Sequence, residues 1–298
     1  MAFIDNTVWT GTEAAGFYST ILLTGDSKSL LKLFPNVKSK IKIPKFDMSG
    51  LIQASDCSFT SGGTSTLSEK TLEVCPLKIN VEICLSTFEQ DYLSTQLKAG
   101  SNGAEVAPAS MVNYIFEQIA LNTSAEIEAL IWNGDTASSP ADICDGLITK
   151  MVTGADTQTV SATTITKAVV LAEIDKVYVK IPDTIINRGK VVLFVSNKVA
   201  QCYKQAVAAL NTIGNYNNGN YDLNYLGVKM IIAPGLTANQ MVAAEPDNLF
   251  VGTDLMSDFD DVILIPQANL SGAKTARFVA NFKFGVQYGV GAEIVLYN

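Results

Sequence analysis

Histidine is missing altogether from this chain of 298 residues. That gap removes Ser-His-Asp and Cys-His nucleophile systems, His-ligated zinc and imidazole general bases together. The five cysteines (Cys57, Cys75, Cys84, Cys144, Cys202) are odd in number and contain no C-x-x-C pair,. The segment MAFIDNTVWTGTE carries Asp5 and no basic stretch, so no secretory signal is expected there,. Without export, the cysteines are expected to be reduced thiols that pack as small apolar residues. No uninterrupted apolar run approaches the length of a membrane span, so no membrane partner is expected,. Gly285, Gly289 and Gly291 do not fit G-x-G-x-x-G, and neither a P-loop nor a repeat of fixed period is found,. The densest carboxylate group, Asp254, Asp258, Asp260 and Asp261 in TDLMSDFDD, lacks EF-hand spacing and reads as a solvated turn and helix cap,. No catalytic, cofactor-binding or metal-binding residue is therefore named, and the chain is not expected to be an enzyme.

What is present is apolar and acidic. Apolar residues make up 48% of the chain, and the mean hydropathy is positive. Such a chain buries surface either against other subunits or in a tight core of its own. Its length suffices for one large domain or two ordinary ones. Basic residues number 21 against 29 acidic ones, a net charge of −8. Readers of nucleic acid are usually basic, because their affinity comes largely from neutralising phosphates. A strong grip on DNA is not expected.

One stretch organises the rest: PASMVNYIFEQIALNTSAEIEALIWN, from Pro108 to Asn133. Val112, Ile115, Phe116, Ile119, Ile127, Leu130 and Ile131 recur at spacings of three and four, which predicts a helix with one apolar face,. Pro108 suits a first turn, and Gly134-Asp135 is a stop signal,. If Ala109 to Trp132 is all helical, the rod is roughly 36 Å long. Asn122-Thr123-Ser124 are poor helix formers, so a bend or break is expected there,.

Ahead of this rod, residues 1–34 mix glycine, small polar residues and scattered aromatics, with a weak helical pattern from Glu13 to Leu23. They read as an arm that must lie on something else. From Val37 to Ser86 the period changes to two,. VKSKIKIPKF puts Lys38, Lys40 and Lys42 on one strand face and Ile41 and Ile43 on the other, and Pro44 either ends the strand or makes it an edge,. The lysine row is either a solvated face or a basic stripe that meets acidic residues of a neighbour. Extended runs follow at Leu51–Phe59, Thr66–Val74 and Leu77–Leu85, with Gly62-Gly63 as the turn,. This predicts a long hairpin tipped at Ser61 to Thr64, with about fifteen paired residues per arm and a reach of roughly 50 Å. A lone two-stranded ribbon is marginal in water, so a neighbouring subunit is its natural support.

A short helix from Phe88 to Leu97 and a loop over 99–107 lead into the rod. DTASSPAD (135–142) is turn chemistry, after which helices and apolar strands alternate. Helices are expected over Ala162–Val179 and Lys198–Leu210, and strands over 191–196, 228–234, 248–255 and 261–266, with loops at 211–225 and Gly235–Asp247. That alternation suggests a small α/β sandwich. ARFVANFKFGVQYGVGAEIVLYN reads as two strands separated near Gly285 to Gly291.

Arm, long hairpin, spine helix, α/β region and a closing pair of strands is the order of parts in the HK97-type major capsid proteins of tailed phages, which this chain resembles. NLFVGTDLMSDFDDVILIP resembles the last strands of that family's axial domain, and KTARFVANFKFGVQYGVGAEIVLYN resembles its C-terminal return to the peripheral domain. The resemblance implies an α+β, HK97-like capsid fold. Its parts would be an N-terminal arm (1–34), an extended loop (35–92), a peripheral domain with the spine (93–142 with 271–298) and an α/β axial domain (143–270). It implies a structural protein that self-assembles, as hexamers and pentamers, into an icosahedral head around double-stranded DNA, with only weak contact to that DNA. An encapsulin-type compartment holding enzyme cargo is the alternative. Portal, decoration or scaffold proteins are the other implied partners, and no cofactor is implied. No charged helical scaffolding segment precedes the arm, so either a separate scaffold or none is expected. Inter-subunit contacts are expected at Lys38, Lys40, Lys42, Phe59, Gly62 and Gly63 of the hairpin. Gly235, Asn239 and Pro246 are expected in a loop at the five- and six-fold axes. The spine isoleucines are expected to be buried on Phe278, Phe282, Phe284 and Val286.

Overall fold

The computed structural model describes residues 7–9, 27–52, 54–55, 62–84, 109–138, 143–209, 223–254, 262–267 and 275–298. The first strands are β1 (Thr7–Trp9), β2 (Lys32–Phe34), β3 (Lys40–Ser49), β4 (Thr64–Glu73) and β5 (Cys75–Cys84). Helices α1 (Ala109–Asn133) and α2 (Leu147–Gly154) follow, then β6 (Gln158–Val160), α3 (Val170–Val179), α4 (Asp183–Ile186), β7 (Val192–Val195) and α5 (Asn197–Ala209). The remaining strands are β8 (Asn224–Tyr225), β9 (Val228–Ile232), β10 (Met241–Ala244), β11 (Leu249–Thr253), β12 (Val262–Pro266), β13 (Thr275–Tyr288) and β14 (Val295–Tyr297). The helical patterns expected at Glu13–Leu23 and Phe88–Leu97 lie outside the described residues.

α1 is the expected rod, and it runs unbroken through Asn122-Thr123-Ser124. Its buried positions include Ile115, Ala120, Ser124, Ile127, Glu128, Ile131 and Trp132, spaced to form one stripe,. The stripe shares a core with Phe278, Phe282, Phe284 and Val286 of β13, as expected, with Ile119 half-buried at its side. Phe116 stands edge-on to Phe278, with ring centroids 6.3 Å apart. The side chain of Val112 lies outside the described set.

β13 organises the first sheet. On one edge it pairs antiparallel with β5 over ten residues, from Thr275↔Cys84 to Phe284↔Cys75. On the other edge it pairs with β12 (Ile263↔Val279) and then with β11 (Val251↔Val286). β1 extends the sheet beyond β12, and β2 runs parallel to β11 beyond that strand. Along β13 the even-numbered residues from Ala276 to Phe284 are buried against the core, while Arg277 and Asn281 face solvent.

The second sheet has the order β6-β14-β10-β7-β9-β8. Phe194, Val242, Ala244 and Leu296 lie on one face, in the core that holds α1. Leu193, Val195, Met241, Ala243, Val295 and Tyr297 lie on the other, against Ile174 and Val177 of α3 and Val199 of α5. A sheet covered on both faces has no polar side to show, which explains the continuous apolar runs. Trp132 at the end of α1 meets Phe194 of β7, with centroids 5.1 Å apart, so the spine bridges the two sheets.

Several expectations are corrected. The span Gly235–Asp247 is not one loop: Met241–Ala244 is a fully buried strand in the middle of the second sheet. Four small apolar residues are too short a run to show a period. The strands at 249–253 and 262–266, expected in the α/β sandwich, pair with β13 instead. β13 itself continues across Gly285 to Tyr288, because Gly285 is a point of close approach and not a turn. α3 begins at Val170 and not near Ala162. The tail of the arm lies on its own chain: Ser27, Lys28 and Leu31 are buried, and β2 is held by β11. Cys75 and Cys144, expected as thiols, are joined by a disulfide across a sequence separation of 69. A pairing made by strand register and a helix end leaves no spacing signal.

Candidate assembly surface

β3 and β4 form a two-stranded ribbon of their own, from Lys40↔Glu73 to Ser49↔Thr64. Ten pairs per arm reach roughly 33 Å,. The extended run expected at Leu51–Phe59 does not belong to it: Gly50 to Ile52 carry no strand, and most of 53–61 lies outside the described residues. Gly63 (φ +85°) and Gly50 (φ +70°) face each other beside the last rung. The glycines therefore stand where the pairing of β3 with β4 ends. Pro44 is tolerated within β3 because both strands are edges,.

The base of the ribbon is fixed. Val37, Leu72 and Val74 are buried in a small cluster with Phe34, Ile41 and Ile43. Val37 N–H donates to the Thr253 carbonyl (2.9 Å), Val74 N–H to Ser39 (3.0 Å), and the Gln287 side chain to Thr71 (2.7 Å). At Gly285 a Cβ would collide with the Glu73 carbonyl, so only glycine lets β4 lie this close on β13. Lys70 makes the outermost described tether: its Nζ donates to Asp156 Oδ2 (2.7 Å) and sits 3.3 Å from the centroid of the Tyr288 ring,. Tyr288 Oη donates to the other oxygen of Asp156. Partial burial would raise the Asp156 carboxyl, but the Lys70 and Tyr288 hydrogen bonds outweigh it and hold Asp156 below the usual carboxylate range. Burial, and then that same carboxylate, push the Tyr288 hydroxyl well above its ordinary value.

Two members of the lysine row are neutralised within the ribbon. Lys40 pairs with Glu73 (3.0 Å) and Lys42 with Glu69, so its acidic partners stand on the other arm of the same hairpin. Lys38 precedes the strand, and its carbonyl accepts from Lys283 (3.2 Å). Toward the tip the same face changes character: Phe46 is 56% exposed, Leu67 directly opposite is 72% exposed, and Met48 is 51% exposed. Leu51 and Ile52, just past the ribbon, are exposed as well. The face is thus ion-paired near the body and apolar near its end. Sequence reasoning named the lysines and missed Phe46, Met48 and Leu67, although the same alternation continued through KFDMS would have found the first two.

The remaining named residues are spread over the body. Phe59 lies outside the described residues, and Gly62 precedes the closing Gly63. At Gly235 a Cβ would strike the Glu128 carbonyl, so this glycine lets the turn after β9 rest on α1, and Asn133 donates to its carbonyl. Asn239 Oδ1 accepts from Ile165 N–H (3.1 Å). Pro246 opens a 3-10 turn over Pro246–Asn248. Gly235 and Asn239 thus make contacts within this chain, and Asn239 and Pro246 stand on either side of β10.

A buried polar seam, also missed, fastens the arm to the spine. Lys28 Nζ donates to the Ser124 carbonyl (3.0 Å) and lies 3.9 Å from Glu128 Oε2. Ser27 and Trp132 donate to Glu128 Oε1, Trp132 at 3.2 Å. Burial pulls the Lys28 ammonium below its ordinary pKa, and Glu128 opposes that fall. The sequence signal was Glu128 itself, a carboxylate inside the apolar stripe between Ile127 and Ile131. Ser124 belongs to the triplet where a break was expected, and its role is to receive Lys28.

Among the described residues no group of cysteines and carboxylates could hold a metal ion, and no helix is long and apolar enough to cross a membrane. Asp254 of the carboxylate group pairs with Lys283 (3.0 Å), while Asp258, Asp260 and Asp261 lie outside the described residues.

No sequence-family model matches the chain, and no curated protein sequence matches it. Solved structures do. The chain is similar to a chain of the satellite phage P4 procapsid that includes the size determination protein, with a TM-score of 0.63 and 13% identity over 99% of this chain and 93% of that one. It is similar to a chain of Mycobacterium phage Ogopogo, with a TM-score of 0.60 and 12% identity over 91% of each. A virus-like particle from Pyrococcus furiosus is similar at a TM-score of 0.53 and 9% identity, over 96% of both chains.

Proposed function

We propose that this chain, which has the α+β HK97-type capsid fold, is a major capsid protein whose copies close, as pentamers and hexamers, into the icosahedral head of a tailed phage. The observation that carries this reading is the ribbon. Its base is built into the body, yet its outer half keeps Phe46, Met48 and Leu67 uncovered on one face. A two-stranded ribbon has no core of its own, so a neighbouring copy is its natural cover. The likeness to shell-forming chains over nearly the whole length supports the same reading. The role is structural, and no reaction is assigned.

In this reading the β3–β4 ribbon within the extended loop (35–92) reaches toward neighbours and docks through its apolar outer half, while β5 and residues 27–34 of the arm (1–34) lie on this chain's own body. The peripheral part is the spine with the first sheet, and the axial part is the second sheet with α3 and α5. Strands 249–253 and 262–266, which pair with β13, are counted with the peripheral part in this reading, and β14, which pairs with β10, with the axial part. The acidic balance, −8 overall, suits a wall that holds packed DNA without gripping it,. Portal, scaffold or decoration proteins are its further expected partners. Electron micrographs of the purified protein test the proposal: closed particles of uniform size are expected, and a monodisperse small species at every concentration would refute it. The contents separate a phage head from an encapsulin-type compartment, since the first packages DNA in the presence of a portal and the second holds a cargo enzyme.

A further inference from the structure

We infer that Cys75 and Cys144 form a lock that closes after assembly: both stay thiols while the chain folds and associates, then oxidise to a disulfide that fixes the ribbon base to the end of the spine. The inference rests on the capsid reading, because a shell carries the chain from a reducing cytoplasm into oxidising surroundings.

Backbone structure brings the two cysteines together without the bond. Cys75 opens β5 opposite Phe284, at the end of a ten-residue ladder. Cys144 lies in the turn after α1, where Gly134 N–H donates to Leu130 (3.1 Å) and Gly146 N–H to Gly134 (2.8 Å). The Cα atoms stand 6.2 Å apart, within the span of a disulfide,. Ladder and helix end can both form first, so the covalent step can come last.

Burial sets the order of that step. Cys144 is 3% exposed, whereas Cys75 is only half-buried. A low-molecular-weight disulfide therefore meets Cys75 first. The Cys75 thiolate attacks one sulfur of the oxidant, forming a mixed disulfide and expelling one small thiolate. The Cys144 thiolate then attacks the Cys75 sulfur, forming the protein disulfide and expelling the second. The protein gives up two electrons and two protons, and the oxidant leaves as two thiols that carry both. The bond sits one residue beyond Val74, in the cluster that holds the ribbon base, and it closes a loop that contains β5. Closure restricts the unfolded chain and opposes any motion that lifts this base off β13.

The test uses the full chain. Cells are lysed directly into an alkylating agent, and a second batch of particles is purified under dithiothreitol, freed of it and incubated with oxidised glutathione. Peptide mass spectrometry without reductant should find both cysteines alkylated in the first batch and a Cys75–Cys144 linked peptide in the second. The oxidised particles should melt roughly 5–10 °C higher, and added reductant should reverse the shift. The C75S/C144S variant should form particles that melt like the reduced parent and ignore the oxidant. A linked peptide already complete at lysis overturns the late timing. No linked peptide after oxidation, or one without a higher melt, overturns the lock while particles in the micrograph leave the capsid reading standing. Absence of particles from the parent overturns the capsid reading, and the post-assembly step with it.

Discussion

Replacing Phe46 and Leu67 together by serine separates assembly from folding. Both side chains are more than half exposed in the single chain and sit opposite each other on the ribbon. The folded subunit therefore loses almost nothing, and surface changes of this kind usually shift stability by less than about 0.5 kcal/mol. A docked ribbon is different. Fully burying a Phe or Leu side chain is worth about 1.5–3 kcal/mol, and more than half of each is still available to bury,. The pair then contributes roughly 2–4 kcal/mol per docked ribbon. At about 1.4 kcal/mol per tenfold, the threshold concentration for particle formation should rise by between ten- and a thousandfold. Light scattering against protein concentration measures the threshold, and a thermal melt of the unassembled subunit checks the fold. Lys40→Ala is the control: its partner Glu73 is on the same exposed ribbon, so the threshold should move little,. If F46S/L67S assembles at the parent's threshold with an unchanged melt, the apolar outer face does not dock.

Other changes test the body. Ile131 is 1% exposed, so Ile131→Ala should cost about 2–5 kcal/mol and reduce soluble yield, while half-buried Ile119→Ala costs less; equal melts for both would refute the spine as organiser,. Glu128→Ala leaves the Lys28 ammonium buried without its carboxylate and should cost about 3–5 kcal/mol, whereas K28M/E128L should recover most of that loss in a urea melt,. Asp156 has a depressed folded pKa, so its stabilisation is full above the unfolded value of about 3.9 and is lost as pH falls through the folded one,. The parent's melt should thus fall more steeply than that of D156N below about pH 4, by under about 1 kcal/mol since the group is partly exposed; parallel acid limbs would refute the Lys70 tether,.

The parts most legible in the sequence were those fixed by local pattern. The helix over 109–133 announced itself by spacing, and Ile127 and Ile131 share a core with the aromatics of β13, as expected, with Ile119 only half-buried beside it. The alternation at Lys40 to Ile43 placed lysines outward and isoleucines inward. What stayed hidden was pairing. LFVGT and VILIP read equally well as strands of either sheet, because an apolar run carries no address. MVAA was too short to read at all. Gly285 looked like a turn and lies inside a strand, and both it and Gly235, which does sit in a turn, are places where another segment's backbone presses close. The tether of Lys70, Asp156 and Tyr288 joins residues 86 and 132 positions apart, a distance over which composition says nothing.

The two halves of the ribbon make opposite demands, and the residues divide accordingly. A segment that must arrive at a neighbour at a fixed angle needs a rigid root, and here the root is redundant: a small apolar cluster, backbone hydrogen bonds, a glycine contact and a charged tether all act within a few residues of Val74. A segment that must remain soluble before it docks cannot be apolar throughout. Lys40, Glu73, Lys42 and Glu69 keep the inner half of that face hydrated and occupied with one another. The apolar residues of that face, Phe46, Met48 and Leu67, are confined to the far end, where they stand exposed. Pairing the charges inside the ribbon also leaves little net charge to repel an approaching copy. If the chain packs against copies of itself as proposed, a net charge of −8 gives it reason to keep its ribbon lysines paired in this way,.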